Sequence, residues 1–252
     1  MTKDPTVISF SGKGGSGKTT TASLFLAGIL NKYKSKDILV IDADPDANLS
    51  NTLQVNVKKT VGQMLDQQNF TLQGSEKDHQ KFRFAFYDLI CVKDGFDFLA
   101  MGRTGGMGCY CALNSALEKI LNETLKMYDL VLIDFDAGLE HFSRKAGNAL
   151  DTLIITCDAS RMSLDTARRI RALIDELSLP YERQYVIGCK LDDKQKSIMK
   201  NNAKEMGFDI LGFIPFDHEI ADRNLLGRDL LSIEETNPAF SAANCLLSEV
   251  LS

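Results

Sequence analysis

The 252-residue chain has no basic block, no internal repeat and no low-complexity tract. Its 29 Lys and Arg are outnumbered by 34 Asp and Glu, for a net charge of −5, which argues against a nucleic-acid surface. No apolar run approaches the ~18 residues needed to cross a bilayer. The opening Met-Thr-Lys-Asp-Pro leads into a strand pattern without an apolar signal segment. Residues 238–252 contain one glutamate and no lysine or arginine, so a basic amphipathic membrane tail is not expected there. Histidine is scarce, and His79, His141 and His218 are read as surface or structural. Six cysteines in a chain this long do not suggest a secreted disulfide scaffold. The expectation is a soluble, cytoplasmic protein with neither nucleic-acid nor membrane partners. A hydrophobic content of 44% is ample for one core, and 1–252 is expected to be a single α/β domain.

What is present is organised around Ser11-Gly12-Lys13-Gly14-Gly15-Ser16-Gly17-Lys18-Thr19-Thr20. It follows a β-branched run, Thr6-Val7-Ile8-Ser9-Phe10, and opens a helical pattern over 21–30. Gly12-x4-Gly17-Lys18-Thr19 is a P-loop in the strand–loop–helix context it needs. Glycines remove Cβ atoms, so successive backbone N–H groups can curl around phosphate oxygens. The first helical turn adds unpaired N–H groups and a positive dipole end. Lys18 is expected on the β- and γ-phosphates, and the Thr19 hydroxyl on Mg²⁺. The same glycines fit Gly12-x-Gly14-x-x-Gly17, a dinucleotide fingerprint with Asp42 as its ribose acid. Lys18 and Thr19 decide for the P-loop, because a dinucleotide loop needs neither.

Asp37-Ile38-Leu39-Val40-Ile41 reads as a buried parallel strand. It ends in Asp42-Ala43-Asp44-Pro45-Asp46-Ala47-Asn48, acids that face the ligand crevice of an open α/β sheet or cap a helix over 49–53. A short helix is expected over 61–66 and an exposed polar loop over 67–78. Residues 88–92 and 96–101 read as strands around an Asp94-Gly95 turn. Met101-Gly102-Arg103-Thr104-Gly105-Gly106-Met107-Gly108-Cys109-Tyr110-Cys111 is a glycine-rich loop ending in Cys-x-Cys. A helix follows, with Leu117, Ile120, Leu121, Thr124 and Leu125 on its apolar face. Thiolates are soft ligands, although two small apolar residues packing a helix start is the plainer alternative. Residues 128–134 form another buried strand that ends in acids, Asp134 and Asp136. Further strands are expected over 152–157, 185–188 and 210–214, with a helix over 163–177 that carries Arg168, Arg169 and Arg171 on a solvated face. Cys91, Cys157, Cys189 and Cys245 are read as small core residues.

Lys13, in Lys-Gly-Gly-x-Gly-Lys-Thr, resembles the deviant Walker A of the SIMIBI ATPases: MinD and ParA, the nitrogenase iron protein, and arsenite-pump and nickel-insertion ATPases. That resemblance implies a mainly parallel sheet with helices on both faces and an ATP-closed homodimer in which Lys13 reaches the partner's nucleotide. It implies that Asp44 orients the attacking water, Asp42 supports the Mg²⁺ shell, Asp134 holds Mg²⁺ through water, and the Gly138 N–H senses the γ-phosphate. Pro215 and Phe216 stand where the family's adenine edge lies. Gly188-Cys189-Lys190 departs from the family's Asn-Lys. Cys-Tyr-Cys-Ala-Leu-Asn (109–114) and Asp-Ala-Gly-Leu-Glu-His-Phe-Ser-Arg (136–144) resemble the CooC-type nickel-insertion ATPases, which serve carbon monoxide dehydrogenase or acetyl-CoA synthase. In a symmetric dimer, Cys109 and Cys111 of both chains complete a four-sulfur site on the two-fold axis. Sulfur softness alone reads first as zinc or iron–sulfur; the resemblance brings in nickel. A MinD-like or ParA-like positioning ATPase without metal, and an iron–sulfur electron-transfer ATPase, are the alternatives.

Overall fold

The computed structural model describes residues 4–46, 48–67, 76–103, 111–136, 150–179 and 181–252, with the backbone alone at 76 and 111–116. The described residues form one eight-stranded sheet ordered β3-β4-β2-β5-β1-β6-β7-β8. Its strands are β1 (Thr6–Gly12), β2 (Ile38–Ala43), β3 (Cys91–Lys93), β4 (Phe96–Ala100), β5 (Leu130–Phe135), β6 (Thr152–Cys157), β7 (Arg183–Cys189) and β8 (Asp209–Ile214). Every ladder is parallel except β3 with β4, which the Asp94-Gly95 turn folds into an edge hairpin. β2, β5 and β6 are almost continuous apolar runs because helices cover both faces of the sheet.

On one face lie α1 (Lys18–Lys32), α2 (Asn48–Thr52), α8 (His218–Leu225) and α9 (Pro238–Val250), around Phe10, Phe25, Val40 and Phe240. On the other lie α3 (Val61–Gln67), α4 (Glu76–Tyr87), α5 (Cys111–Leu125), α6 (Arg161–Leu177) and α7 (Asp193–Glu205), around Ile41, Phe82, Phe86 and Ile155. α1 packs against α9 so closely that a Cβ on Gly28 would sit 2.9 Å from Asn244 Oδ1. α9 spends its apolar face, including Phe240, Ala243, Leu247 and Val250, on this contact. No helix of the described residues is long and apolar enough to cross a membrane.

Several expectations need correction. The polar stretch 67–78 is not loop to its end, since α4 begins at Glu76; residues 68–75 lie outside the described set. Phe82 and Phe86, one turn apart, are fully buried and anchor α4, each contributing about 1.5–3 kcal/mol. The strand expected over 88–92 begins at Cys91, because 88–89 complete a turn after α4. Cys157 and Cys189 are buried, but Cys91 is half-buried and Cys245 is exposed, on the solvent side of α9. Arg168 and Arg169 are exposed, whereas Arg171 lies over the Phe208 ring and donates to the Gly207 carbonyl.

The strand order reverses at β1. β2 lies to one side of it, beyond β5, and β6 lies on the other. The crevice at the carboxyl ends of β1, β5 and β6 is where an open α/β sheet takes its ligand.

Candidate functional site

The P-loop leaves β1 into this crevice. Gly12 has φ +145°, and a Cβ there would meet the Thr156 carbonyl at 2.4 Å, so glycine is required by space as well as torsion. Ser16 turns back to bond Thr156 Oγ1 at 2.7 Å, and its N–H donates to the Lys13 carbonyl at 3.0 Å. Gly14 and Gly15 border open space: a Cβ on either meets no atom within 4 Å. Gly17, at φ +106°, ends the loop and starts α1. The first-turn amides and the Lys18 side chain, 7% exposed, therefore share the cradle with the loop.

Thr19 Oγ1 donates to Asp134 Oδ2 at 2.7 Å. The other oxygen, Asp134 Oδ1, is buried and has no hydrogen-bond partner among the described residues. A buried carboxylate oxygen beside a P-loop hydroxyl suits a hydrated divalent cation, so Thr19 and Asp134 fit the Mg²⁺ role. Asp42 is the strand neighbour of Asp134. It is fully buried, and it accepts from the Asp44 N–H at 3.2 Å and the Leu49 N–H at 3.0 Å. Asp42 thus caps α2 and lies beside Asp134 on the neighbouring strand. Burial first, then the nearby Asp134 charge, pushes Asp42 up to about 7. Burial likewise pushes Asp134 up to about 7, against the Thr19 hydrogen bond and the Lys18 ammonium.

These two carboxyls make stability without Mg²⁺ depend on pH. Their folded pKa lies above the unfolded value, so their contribution is greatest below pH ~4 and is lost as pH rises through 7. Asp134→Asn removes one ionising partner. Metal-free, the variant is expected to gain about 1–1.5 kcal/mol on the parent at pH 8 compared with pH 6. Denaturant melts at both pH values check this; a difference that does not change with pH refutes the buried-acid assignment.

Lys13 lies over its own chain, with Nζ 2.9 Å from Asp158 Oδ2. Asp158 sits just beyond β6. Burial works against its ionisation, but bonds from the Ser160 hydroxyl and Lys13 outweigh it and hold its pKa below the usual range. The sequence reading missed Asp158, although the signal was the one that marks Asp42 and Asp134: an acid directly after an apolar strand. Asp44, half-buried, points one carboxylate oxygen at the Asp46 N–H, 2.8 Å away.

β7 and β8 border the P-loop on the side away from β5. Cys189 is buried beneath the P-loop helix, its sulfur 3.7 Å from Thr21 Oγ1 and 3.4 Å from where a Gly17 Cβ would lie. Burial raises its thiol to about 11. Cys189 is therefore a packing residue under the loop. Lys190 Nζ donates to the Gly15 carbonyl at 3.3 Å, and Asn224, which was not singled out from sequence, reaches Thr20 Oγ1 at 3.4 Å. Pro215 is half-buried and Phe216 is 53% exposed, two residues beyond Ile214, the strand neighbour of Cys189. Phe216 meets the exposed His218 edge-on at 5.0 Å. Gly138, His141, Cys109 and the Cys111 side chain lie outside the described residues.

Residues 5–186 match the family model described as an AAA domain. The chain is 35% identical to an uncharacterized ATP-binding protein of Methanocaldococcus jannaschii, over 97% of this chain and 98% of that one. It is 30% identical to the carbon monoxide dehydrogenase accessory protein CooC of Rhodospirillum rubrum, over 97% of this chain and 95% of the relative. Among solved structures, a ParA family ATPase from Chlorobium tepidum superposes with a TM-score of 0.73 over 98% of both chains, at 18% identity. The chain belongs to the AAA-domain family of P-loop ATPases.

Proposed function

We propose that this protein is an ATP-dependent nickel metallochaperone: a homodimer that holds one metal ion through Cys109 and Cys111 of both chains and delivers it to a nickel enzyme. The likeness to CooC supports carbon monoxide dehydrogenase or acetyl-CoA synthase as the client. One observation carries the reading. The Cys109–Cys111 segment follows β4, whose end is tied to the nucleotide face by the Met101 N–H donating to the Asp42 carbonyl at 2.8 Å. A cargo loop and a nucleotide site so joined can be worked by one cycle.

In that cycle the P-loop amides and Lys18 hold the phosphates of ATP. Thr19 and Asp134, with Asp42 beside them, would hold Mg²⁺, which would supply positive charge at the phosphates. Asp44 orients the attacking water, and the Gly138 N–H reads the γ-phosphate. Lys13 leaves Asp158 for the nucleotide of the second chain, so closing the dimer requires that ion pair to break. Pro215 and Phe216 border the adenine.

Metal titration of the protein with ADP and with a slowly hydrolysed ATP analogue tests the reading. We expect about half a nickel or zinc ion per chain, with affinity that differs between the two nucleotides. Cys109→Ser or Cys111→Ser should weaken binding by more than about a hundredfold, since even outer-shell partners are worth ~10–100-fold. ATP binding should survive both changes. Binding that persists in both variants overturns the reading. Absence of metal favours a positioning ATPase, and a broad iron–sulfur absorption band favours an electron-transfer ATPase.

A further inference from the structure

The end of β7 grips the P-loop at two points. Cys189 lies beneath it, with Cβ and Sγ each 3.4 Å from where a Gly17 Cβ would be. Lys190 reaches across it, with Nζ 3.3 Å from the Gly15 carbonyl oxygen. The Gly15–Ser16 peptide is thereby bonded at both ends, since the Ser16 N–H donates to the Lys13 carbonyl at 3.0 Å. A trans peptide directs its C=O and N–H to opposite sides, so the two bonds fix its plane. This stretch has little else to hold it, because a Cβ on Gly14 or Gly15 would meet no atom within 4 Å. Two successive glycines can turn that peptide over at little steric cost. Turned over, it would carry the Gly15 oxygen inward across the arc, where phosphate oxygens need amides and are repelled by a carbonyl. Lys190 makes its contact from a left-handed backbone, φ +61°. The other non-glycine residues with positive φ among the described ones, Gln54 and Ser178, follow the ends of α2 and α6. Lys190 instead follows a strand, its N–H on the Ile214 carbonyl of β8 at 3.0 Å. A lysine kept in that conformation beside a ligand loop marks a functional constraint.

We propose that Lys190 is a positioning residue for phosphate binding: it holds the Gly15 carbonyl out of the cradle and sets the loop before nucleotide arrives. This rests on ATP binding at the P-loop and is independent of the metal reading above. A loop already set spares the ligand the cost of ordering two glycines. Once ATP is bound, the phosphates themselves hold the loop amides, in the ground state and the transition state alike. The contribution of Lys190 is therefore uniform binding, which appears in KM and not in kcat. Its side chain is exposed, so the effect falls on the loop and not on the stability of the sheet.

Lys190→Asn removes the ammonium and keeps a residue that tolerates the left-handed backbone. Lys190→Arg keeps a long cationic donor. Calorimetry is run with MgATP and with magnesium tripolyphosphate, which has the phosphates and no base. Lys190→Asn is expected to weaken both ligands by about fivefold or more, and by factors that agree within about twofold. KM for ATP should rise by a similar factor, with kcat within about twofold of the parent. Lys190→Arg should return both affinities to within about twofold of the parent. In nucleotide-free protein the Ser16 amide should exchange at least about fivefold faster in Lys190→Asn, while the melting temperature stays within about 3 °C. Parent-like affinity of Lys190→Asn for both ligands overturns the proposal. So does a loss for ATP alone, which would place Lys190 on the base, and so does a fall in kcat with KM unchanged. A parent that binds neither ligand overturns the P-loop reading beneath it. A parent that binds both as expected but takes no metal overturns the metallochaperone reading and leaves the role of Lys190 standing.

Discussion

Replacing Lys18 with alanine is expected to weaken ATP binding by about 30- to 1000-fold, the loss when a desolvated charge pair loses one partner at ~2–4 kcal/mol. Lys18 is 7% exposed, so water cannot take its place at the phosphates. Its position is set by α1, whose buried residues from Thr21 to Ile29 fix the helix start against the sheet. The variant should still fold. Without nucleotide, Lys18 favours ionisation of Asp134, and Asp134 without Lys18 can stay protonated. The nucleotide-free variant should therefore keep the parent's far-ultraviolet dichroism and lose calorimetric ATP binding. On the proposed dimer cycle, gel filtration should show no ATP-dependent dimer. An ATP affinity within about threefold of the parent, in a variant that still folds, would remove Lys18 from the phosphate site.

The parallel strands were legible because a strand buried on both faces is an unbroken apolar run. Ile38-Leu39-Val40-Ile41 and Leu130-Val131-Leu132-Ile133 can be little else at that length. The helices with mixed faces were harder. α4 reads Glu-Lys-Asp-His-Gln-Lys-Phe-Arg-Phe-Ala-Phe-Tyr, where the buried Phe82 and Phe86 alternate with the exposed Phe84, so its apolar stripe is diluted. α7 buries little more than Met199 and Ala203, and its clearest mark is a cap: Asp192 and Gln195 exchange side-chain-to-backbone bonds. α9 carried a readable start, Asn237-Pro238, with the Asn237 side chain accepting from the Ala239 and Phe240 amides.

Within the site, the spacing of Gly12, Gly17, Lys18 and Thr19 was enough to place the loop between β1 and α1, since that loop is local in sequence. Contacts between distant segments were not readable. Lys13 with Asp158 spans 145 positions, and Lys190 with the Gly15 carbonyl spans 175. Strand order decides such pairs, and it is fixed by packing of the whole sheet. Cys189, read as a small core residue, is buried, and the register of β7 turns its sulfur under Gly17 and Thr21.

Asp44→Ala should separate hydrolysis from binding. Asp44 lies beyond β2, half-buried, and its N–H is fixed by Asp42. Its carboxylate touches the Asp46 amide and no phosphate-binding residue that the structure describes. Truncation should therefore leave ATP affinity within about threefold of the parent, the P-loop, Lys18 and Thr19 being intact. In the role proposed for Asp44, the attacking water would lose its orienting acceptor, and kcat should fall by about 10²- to 10⁴-fold, the range for a positioned proton acceptor. Asp42→Asn should behave differently. Asp42 Oδ2 caps α2 through the Leu49 amide, so its loss should act on the stability of α2 as well as on turnover. Single-turnover phosphate release, measured with saturating MgATP, distinguishes the chemical step from slow product release. Parent-like release from Asp44→Ala would assign the water to another carboxylate; slow release with tight ATP binding would hold the dimer closed with its nucleotide uncut.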